Sequence, residues 1–355
     1  MYYMKVFVDA RWTRTDHHDG ISRYGASLAS ELHKLMPITL LIHDKDQLKL
    51  LPSGIPYIIV NHPLSLAELR LPIKLNQLGA DVVFSPLQYM GLWGRKYRLI
   101  LTVHDLIYYR HPKPPTYLAW PVRMVWRLFH GAFWPQRILL NHTDAVITVS
   151  ETSKKYIQQH NITNKPVSVV YNAAGKLAIK HQKPTKRLVY MGSFMPYKNV
   201  ELLIAALEFL PSYELCLLSK IAPGREKELV IGAPKDARIS FYGGVTDDEY
   251  ADILSDCHAL VTASLEEGFG LPLVEAMQAG VPVICSDIDI FHEVVGDGGL
   301  FFDPQSPRDF AAKVRELEKK KTRDNLIKLG KIQAKKFAWK KSAKELAKTI
   351  SQLQP

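Results

Sequence analysis

The stretch Glu267-Gly268-Phe269-Gly270-Leu271-Pro272-Leu273-Val274-Glu275 decides the reading of this chain. It follows an apolar run, Ala259–Thr262, that reads as a strand, and it opens a helical pattern expected over Leu273–Gln278. Pro272 suits the first turn of a helix, where its missing N–H costs nothing. Gly268 and Gly270 let backbone come close to a ligand, and the amides at a helix start favour an anion such as a diphosphate. One glutamate falls in the loop and the other about one turn into the helix, so both can face a single cleft. Carboxylates are good acceptors for sugar hydroxyls. An ordinary capped helix with an acid near its dipole accounts for either glutamate alone, but not for the whole string.

Working outward, short apolar runs alternate with amphipathic ones, which predicts an α/β protein with mostly parallel sheets. In the first half, strands are expected at Lys5–Asp9, Thr39–Ile42, Tyr57–Val60, Val82–Ser85, Leu99–Val103, Ala145–Val149 and Val167–Val170. Ser22 is expected to cap a helix running to Leu35, and Ser150 to cap another. The polar, Lys-rich stretch Ala173–Arg187 reads as a linker. The alternation then restarts with strand Leu188–Met191, helix Val200–Leu210, strands Glu214–Leu218 and Ile239–Tyr242, and helix Asp247–Ser255. Strand Val281–Cys285 follows the motif, and everything from Ser306 on reads as helical. Two Rossmann-like halves facing across a cleft would bind ligands at the carboxyl ends of their strands.

At 355 residues the chain is long enough for about two domains. A 47% hydrophobic content excludes disorder and fibrous repeats. Three Cys without a CxxC pair fit a reducing compartment rather than a disulfide framework. No apolar run reaches 18 residues, and the start carries no signal-peptide pattern, so a cytoplasmic location is expected. The formal charge of +11 is unevenly spread. Residues 316–348 hold 12 Lys/Arg against 4 Asp/Glu, and residues 106–143 hold five basic residues and no acid. The rest of the chain is slightly acidic. The 106–143 segment also carries eight aromatics, among them Tyr108, Tyr109, Trp120, Trp126 and Trp134. Basic and aromatic residues together suit an anionic membrane surface; the same mix suits nucleic acid or a core-packing helix with a solvated face. The membrane surface is the partner carried forward, and nucleic acid is not.

Further short motifs join the central string. They are Asp9-Ala10-Arg11 with Gly20-Ile21-Ser22-Arg23-Tyr24, Thr102-Val103-His104-Asp105-Leu106, and Ile147-Thr148-Val149-Ser150. Later come Met191-Gly192-Ser193 with Lys198-Asn199, Tyr242-Gly243-Gly244-Val245, and Val281-Pro282-Val283-Ile284 with Glu293-Val294. Taken together, the chain resembles, nearly end to end, the retaining glycosyltransferases of family 4, whose Glu-x7-Glu signature the string matches. The Gly-Ile-x-Arg-Tyr and His-Asp-Leu motifs look most like bacterial mannosyltransferases of polysaccharide and O-antigen assembly.

The resemblance implies a GT-B fold: residues 1–174 as an acceptor-side domain, 175–338 as the nucleotide-sugar domain, and a helix at about 339–355 packing back on the first. It implies that Glu267 contacts the donor sugar, with Gly268 and the amides of Phe269, Gly270 and Leu271 beside its hydroxyls and phosphates. Glu275 would bind the ribose, Lys198 the diphosphate, and the backbone near Gly244-Val245 the base. Gly20 and Ile21, expected in a loop, would contact phosphate. His104 would lie beside the anomeric carbon, with Arg23, Asp105, Tyr108, Tyr109 and Arg110 on the acceptor side. Many members carry Arg where this chain has Ser193; Arg225 is a candidate substitute.

The implied reaction moves a hexose, with mannose from GDP-mannose the first donor and UDP-glucose or another UDP-hexose the second, onto a hydroxyl of a lipid-linked glycan at the inner membrane face. No cofactor and no metal are expected. Asp287-Ile288-Asp289 is a literal DxD, but it follows a strand, and Asp289 reads as the N-cap of a short helix. A nucleotide-sugar epimerase and a non-catalytic binding module are the competing classes. The intact glycine-arginine and paired-glutamate motifs argue against the first, and the retained His104, Lys198 and Glu267 against the second.

Overall fold

The computed structural model describes residues 4–111, 120–175, 177, 179–180 and 182–353. Lys113 and Tyr117 of the basic aromatic segment, parts of the predicted linker, and the last two residues of the predicted C-terminal helix lie outside the described residues. The chain divides into two compact units: residues up to Ala173 together with those from Ala338 on, and Ala174–Phe337.

The first unit is built on a seven-stranded parallel sheet. Its strands are β1 (Val6–Asp9), β2 (Ile38–Ile42), β3 (Tyr57–Ile59), β4 (Val82–Ser85), β5 (Arg98–Val103), β6 (Ala145–Thr148) and β7 (Val167–Val169). They lie in the order β3-β2-β1-β4-β5-β6-β7. β1, β4 and β6 are buried at every residue, as expected of strands covered by helices on both faces. The helices are α1 (Gly20–His33), α2 (Leu71–Gln77), α3 (Ile107–Arg110), α4 (Trp120–His130), α5 (Trp134–Asn141) and α6 (Glu151–Gln159).

The second unit carries a six-stranded parallel sheet of β8 (Arg187–Tyr190), β9 (Glu214–Leu217), β10 (Arg238–Phe241), β11 (Ala259–Thr262), β12 (Val283–Ser286) and β13 (Gly299–Phe302). Its order, β10-β9-β8-β11-β12-β13, is that of a Rossmann sheet, with the strand order reversing between β8 and β11. Helices α7 (Val200–Ala205), α8 (Pro223–Ile231), α9 (Asp247–Ser255), α10 (Leu271–Ala279), α11 (Asp289–Val295), α12 (Pro307–Glu316) and α13 (Lys320–Ala334) connect or cover it. The last helix, α14 (Trp339–Ser351), belongs to the first unit. It buries Ala343, Leu346 and Ile350, sets Trp339 edge-on to Tyr24, and donates from Ser342 Oγ to the Tyr171 carbonyl at 2.7 Å.

Several local expectations are corrected. α1 is capped by Asp19, whose carboxylate accepts from Ser22 N at 2.9 Å, not by Ser22. The Ser22 hydroxyl is engaged with Arg14 N and His18, so Gly20-Ile21 opens the helix and is not a loop. Asp289 is the first residue of α11, whose cap position is Ile288. The stretch expected as one helix over Val200–Leu210 tightens into a 3-10 turn from Ala206. α8 and β13 had no counterpart in the sequence reading. Ser150 does cap α6, accepting from Ser153 N at 3.0 Å.

Arg11 sits after β1 with its side chain fully buried. Its guanidinium donates to both Asp9 oxygens at 2.7 and 3.0 Å, to both Glu68 oxygens at 2.6 and 3.1 Å, and to the Asn61 carbonyl at 3.3 Å. Glu68 also accepts from Gly91 N at 2.9 Å and Asn61 Nδ2 at 2.6 Å. Burial opposes the charge on Arg11, but Asp9 and Glu68 more than offset this and raise its pKa. A buried pair is costly to break because the remaining charge is stranded. Arg11→Met and Glu68→Ala are each expected to lower stability by about 3–5 kcal/mol. All six Trp lie in the first unit, so its urea transition can be followed by their fluorescence. A midpoint unchanged from the parent would remove this cluster from the stability of the unit.

Candidate active site

The central string is placed by β11 and α10. After β11 the chain crosses the carboxyl edge of the sheet, and Gly270 takes a left-handed conformation (φ +89°) to enter α10. A Cβ at Gly270 would lie 2.8 Å from the ring of Phe291, so only glycine fits there. Phe269 is buried edge-on against Phe337. The loop is pinned to the one after β8 by a 2.8 Å bond from Leu265 N to the Tyr197 carbonyl. The two loops flank the point where the strand order reverses, which is where open α/β sheets hold ligands.

Here Lys198 and Glu267 form an ion pair. Ser264 Oγ donates to the same Glu267 oxygen at 3.0 Å, and Thr262 Oγ1 stands 3.2 Å from Ser264 Oγ. Both charged side chains are only about 15% exposed. The Lys198 amine also lies 5.3 Å from the ring centre of Tyr197. Lys198 is presented by a 3-10 turn that ends at Asn199, itself left-handed (φ 52°) and tied through Nδ2 to the Pro304 carbonyl at 2.9 Å. Glu275 lies on α10, next to the buried hydroxyl-bearing ring of Tyr250. Burial, and then the Glu275 charge, push the Tyr250 pKa well up.

The remaining positions of this unit flank that pair. The exposed Ser193 follows β8, its carbonyl accepting from Tyr190 Oη at 2.6 Å. Gly192 N donates to Ser219 Oγ at 3.1 Å, which joins the loops after β8 and β9. Gly243 and Gly244 are both left-handed, and Gly244 N donates to the Leu218 carbonyl at 2.9 Å, leaving Val245 half-buried beyond them. Arg225 does not serve the site: it is bound to Glu201, Glu228 and the Phe194 carbonyl. Sequence reasoning passed over Lys220. It is exposed, it follows Ser219, and its stem lies 2.9 Å from where a Gly244 Cβ would be. Its lone place after a strand gave no signal; the contact with a glycine pair distant in sequence does. In the DxD, Asp287 pairs with His292 at 2.6 Å.

In the first unit, His104 stands at the carboxyl end of β5. Its Nε2 is 2.7 Å from the Pro86 carbonyl. A carbonyl only accepts, so Nε2 carries the proton and Nδ1 the lone pair. The ring packs edge-on to Tyr24, whose centroid is 4.9 Å away and whose hydroxyl donates to the Val170 carbonyl. Burial lowers the His104 pKa, against the opposing pull of Pro86 and Asp19. Asp105 accepts from Ile107 N at 3.1 Å and so shapes the turn into α3. Ile21, His104, Asp105, Tyr108 and Tyr109 line one groove of about 1010 Å³. Arg110 lies over the ring of Tyr156, and Arg23 is half-buried on α1. Arg11, in the motif that precedes α1, is a buried structural residue bound to Asp9 and Glu68. Gly20 is exposed, a Cβ there would meet nothing within 4 Å, and its φ is not left-handed, so nothing in the unit itself requires glycine.

Two family models match the chain. Glycosyltransferase Family 4 covers residues 18–174, and Glycosyl transferases group 1 covers residues 176–333. Among curated relatives, the O-antigen chain mannosyltransferase RfbU of Salmonella typhimurium is 30% identical over 182 residues, 49% of this chain and 50% of that protein. The O-antigen chain mannosyltransferase B of Escherichia coli is 33% identical over 159 residues, 42% of each. The chain thus spans about half the length of these relatives. Among solved structures, Anabaena HepE in complex with UDP and glucose superposes with a TM-score of 0.72 at 18% identity, covering 98% of this chain and 100% of the other. The paired-glutamate string on α10, the two parallel Rossmann-like sheets and these matches to both halves agree: the chain belongs to the family 4 glycosyltransferases and has their GT-B fold.

Proposed function

We propose that the protein is a retaining, metal-independent hexosyltransferase that moves mannose from GDP-mannose to a hydroxyl of a lipid-linked glycan in cell-surface polysaccharide synthesis. The observation that carries the reading is the Lys198–Glu267 pair, held by Ser264 at the point of strand reversal beside the start of α10. The second unit is then the donor domain. Lys198 leaves Glu267 for the departing diphosphate, with the α10 amides adding their dipole. Glu267 and the backbone of Gly268, Phe269, Gly270 and Leu271 hold the sugar, and Glu275 the ribose. Gly244-Val245 faces the base. Lys220 supplies the charge that other members take from an Arg at the Ser193 position.

The first unit is the acceptor domain, with Gly20 and Ile21 at the start of α1 for phosphate and Arg23, Asp105, Tyr108 and Arg110 toward the acceptor. In the transfer, the bond from the anomeric carbon to diphosphate oxygen breaks while the acceptor oxygen bonds to the same face of that carbon. The acceptor proton passes to the departing diphosphate, and His104 Nδ1 orients the sugar by accepting a hydrogen bond from one of its own hydroxyls. Mannose rests on the two mannosyltransferase relatives. A UDP-hexose is the second reading, favoured by the UDP and glucose complex of HepE. The deciding experiment is a panel of nucleotide sugars with glycan acceptors, read as nucleotide release and product linkage.

Lys198→Ala should cut kcat by about 10²–10³-fold, the cost of losing one donor to developing charge. Glu267→Ala, which removes the carboxylate that accepts from the sugar, should also abolish most turnover, each variant remaining folded by circular dichroism. Turnover near the parent value would break the assignment.

A depressed His104 pKa keeps the imidazole neutral to lower pH. The acid limb of kcat/KM should therefore fall below about 6.5, the ordinary histidine value, and His104→Asn should remove it. A limb above that value that survives the substitution would contradict the role.

The membrane face assigned to this enzyme is α4, which buries none of its residues. Arg123 and Arg127 lie on it among exposed Val122, Val125 and Leu128. Binding to anionic vesicles should weaken with salt, and by about fivefold for each arginine changed to Gln. Equal binding to neutral and anionic vesicles would return α4 to an ordinary solvated helix.

A further inference from the structure

The groove of the first unit is far larger and more apolar than positioning a sugar hydroxyl requires. At about 1010 Å³ it matches the upper end of small-molecule sites, which run to roughly 1,000 Å³. Its walls come from α4 through Val122, Val125 and Phe129, from α5 through Ile138 and Leu139, and from the loop around Trp93. Several of these are solvent-facing: Trp93 is 79% exposed and Val125 61%, so the apolar lining continues onto the surface. Sugars are polar and gain little from such walls. A hydrocarbon chain gains from every methylene it removes from water.

A second observation narrows the ligand. Four buried polar atoms of groove residues have no hydrogen-bond partner among the described residues: Trp12 Nε1, Trp126 Nε1, Tyr109 Oη and Gln136 Oε1. Gln136 is fully buried, its Nε2 donating to Gln88 Oε1 at 2.7 Å. Buried polar atoms are ordinarily paired, and three of these four can donate. These atoms have almost no accessible surface, so a ligand meets them only when the side chains that carry them turn toward the groove, and one that does so brings acceptor oxygens along with its chain. Arg123 and Arg127, on the same α4 that forms one wall, favour an anionic group at that position.

We propose that this groove holds the hydrocarbon chain of a phosphate-linked lipid, the carrier portion of the acceptor, and brings its head toward His104. The assignment rests on the transferase reading for the word acceptor, but not for the binding itself. The chain leaves the bilayer and lies in the protein, with the indole and phenol donors meeting phosphate or ester oxygens. Membrane contact by α4 and chain capture by the groove are then separate steps.

The test uses the full chain and n-alkyl monophosphates of six, eight and ten carbons, below their micelle-forming concentrations and without vesicles, with inorganic phosphate as control. Trp12, Trp93 and Trp126 line the groove, so intrinsic fluorescence reports occupancy. A saturable change is expected, tightening up to about fourfold per added methylene and absent with inorganic phosphate. Val125→Asp should abolish the length dependence. α4 contributes no buried residue, so this change leaves the core intact; Ile138→Trp, which fills the groove with an apolar ring, tests the same point without adding charge. Binding independent of chain length, or fluorescence changes only with vesicles, overturns the proposal. So does concentration-dependent dimerisation without any response to the alkyl phosphates, which would make the face a self-contact. If the chains bind as expected but no nucleotide sugar is consumed, the transferase reading fails and the groove assignment stands. Transfer that is indifferent to the acceptor's chain length has the opposite meaning.

Discussion

The buried guanidinium of Arg11 is the constraint on which the first unit depends. It sits where β1 ends, at the reversal of strand order between β1 and β4, and it joins three segments far apart in sequence. Asp9 fixes it to the strand. Glu68 and the Asn61 carbonyl bring in the segment after β3, and Gly91 N on the same Glu68 brings in the loop after β4. Gly91 is glycine because a Cβ would collide with the Glu68 carbonyl. The loop that carries Leu92 and Trp93 into the groove wall is therefore set by an ion cluster as well as by the packing of Met90 and Leu92 on the core. Such a cluster gives a loop one position where packing alone would allow several, at the expense of desolvating three charges.

That same cluster marks the limit of what the sequence discloses. Asp9-Ala10-Arg11 reads as a strand end followed by a charge, and nothing nearby announces Glu68, which lies 57 residues on. The strands were readable because both faces are buried and the runs are continuously apolar, as at Val82–Ser85 and Ala259–Thr262, where reading and structure coincide. Helix starts were less readable. Ser22 has the side chain of a cap, but Asp19 caps the helix three residues earlier by accepting from Ser22 N, and the Ser22 hydroxyl turns to His18 and Arg14. β13 was missed because Gly299 weakens the strand pattern of a short run. α8 was missed because its apolar stripe is faint, only Leu229 being buried. The candidate site was readable where one local string carries it, at Glu267 to Glu275, and unreadable where it depends on a contact such as Lys220 against Gly244.

The excess positive charge also divides along structural lines. α14 turns Ala343, Leu346 and Ile350 inward against the first unit and so carries its many lysines on the other side. Its basicity goes with an amphipathic docking helix and calls for no ligand. α4 is different. It has comparable amphipathic character but buries nothing, leaving Trp120 74% exposed. Trp126 and His130 pack on Tyr108 and Tyr109, but the exposed Val122, Val125 and Leu128 of the same helix are the feature that demands a further explanation, and Val122 and Val125 also wall the groove.

The charge around Lys198 argues how the donor half would work on the proposed reading. Without ligand, Glu267 neutralises Lys198, and Arg225 is already spent on Glu201 and Glu228. The site therefore offers a diphosphate little net positive charge until the Lys198–Glu267 pair opens. Opening it strands a carboxylate that is only about 15% exposed, unless new donors replace the amine. A sugar hydroxyl can be that donor, since Glu267 keeps Ser264 on one oxygen and can accept on the other. Diphosphate and sugar would then bind as a coupled pair, each supplying what the other displaces. A nucleoside diphosphate without its sugar would leave Glu267 without a donor and bind more weakly than the intact donor, and the exposed Lys220 is a cation able to soften that difference.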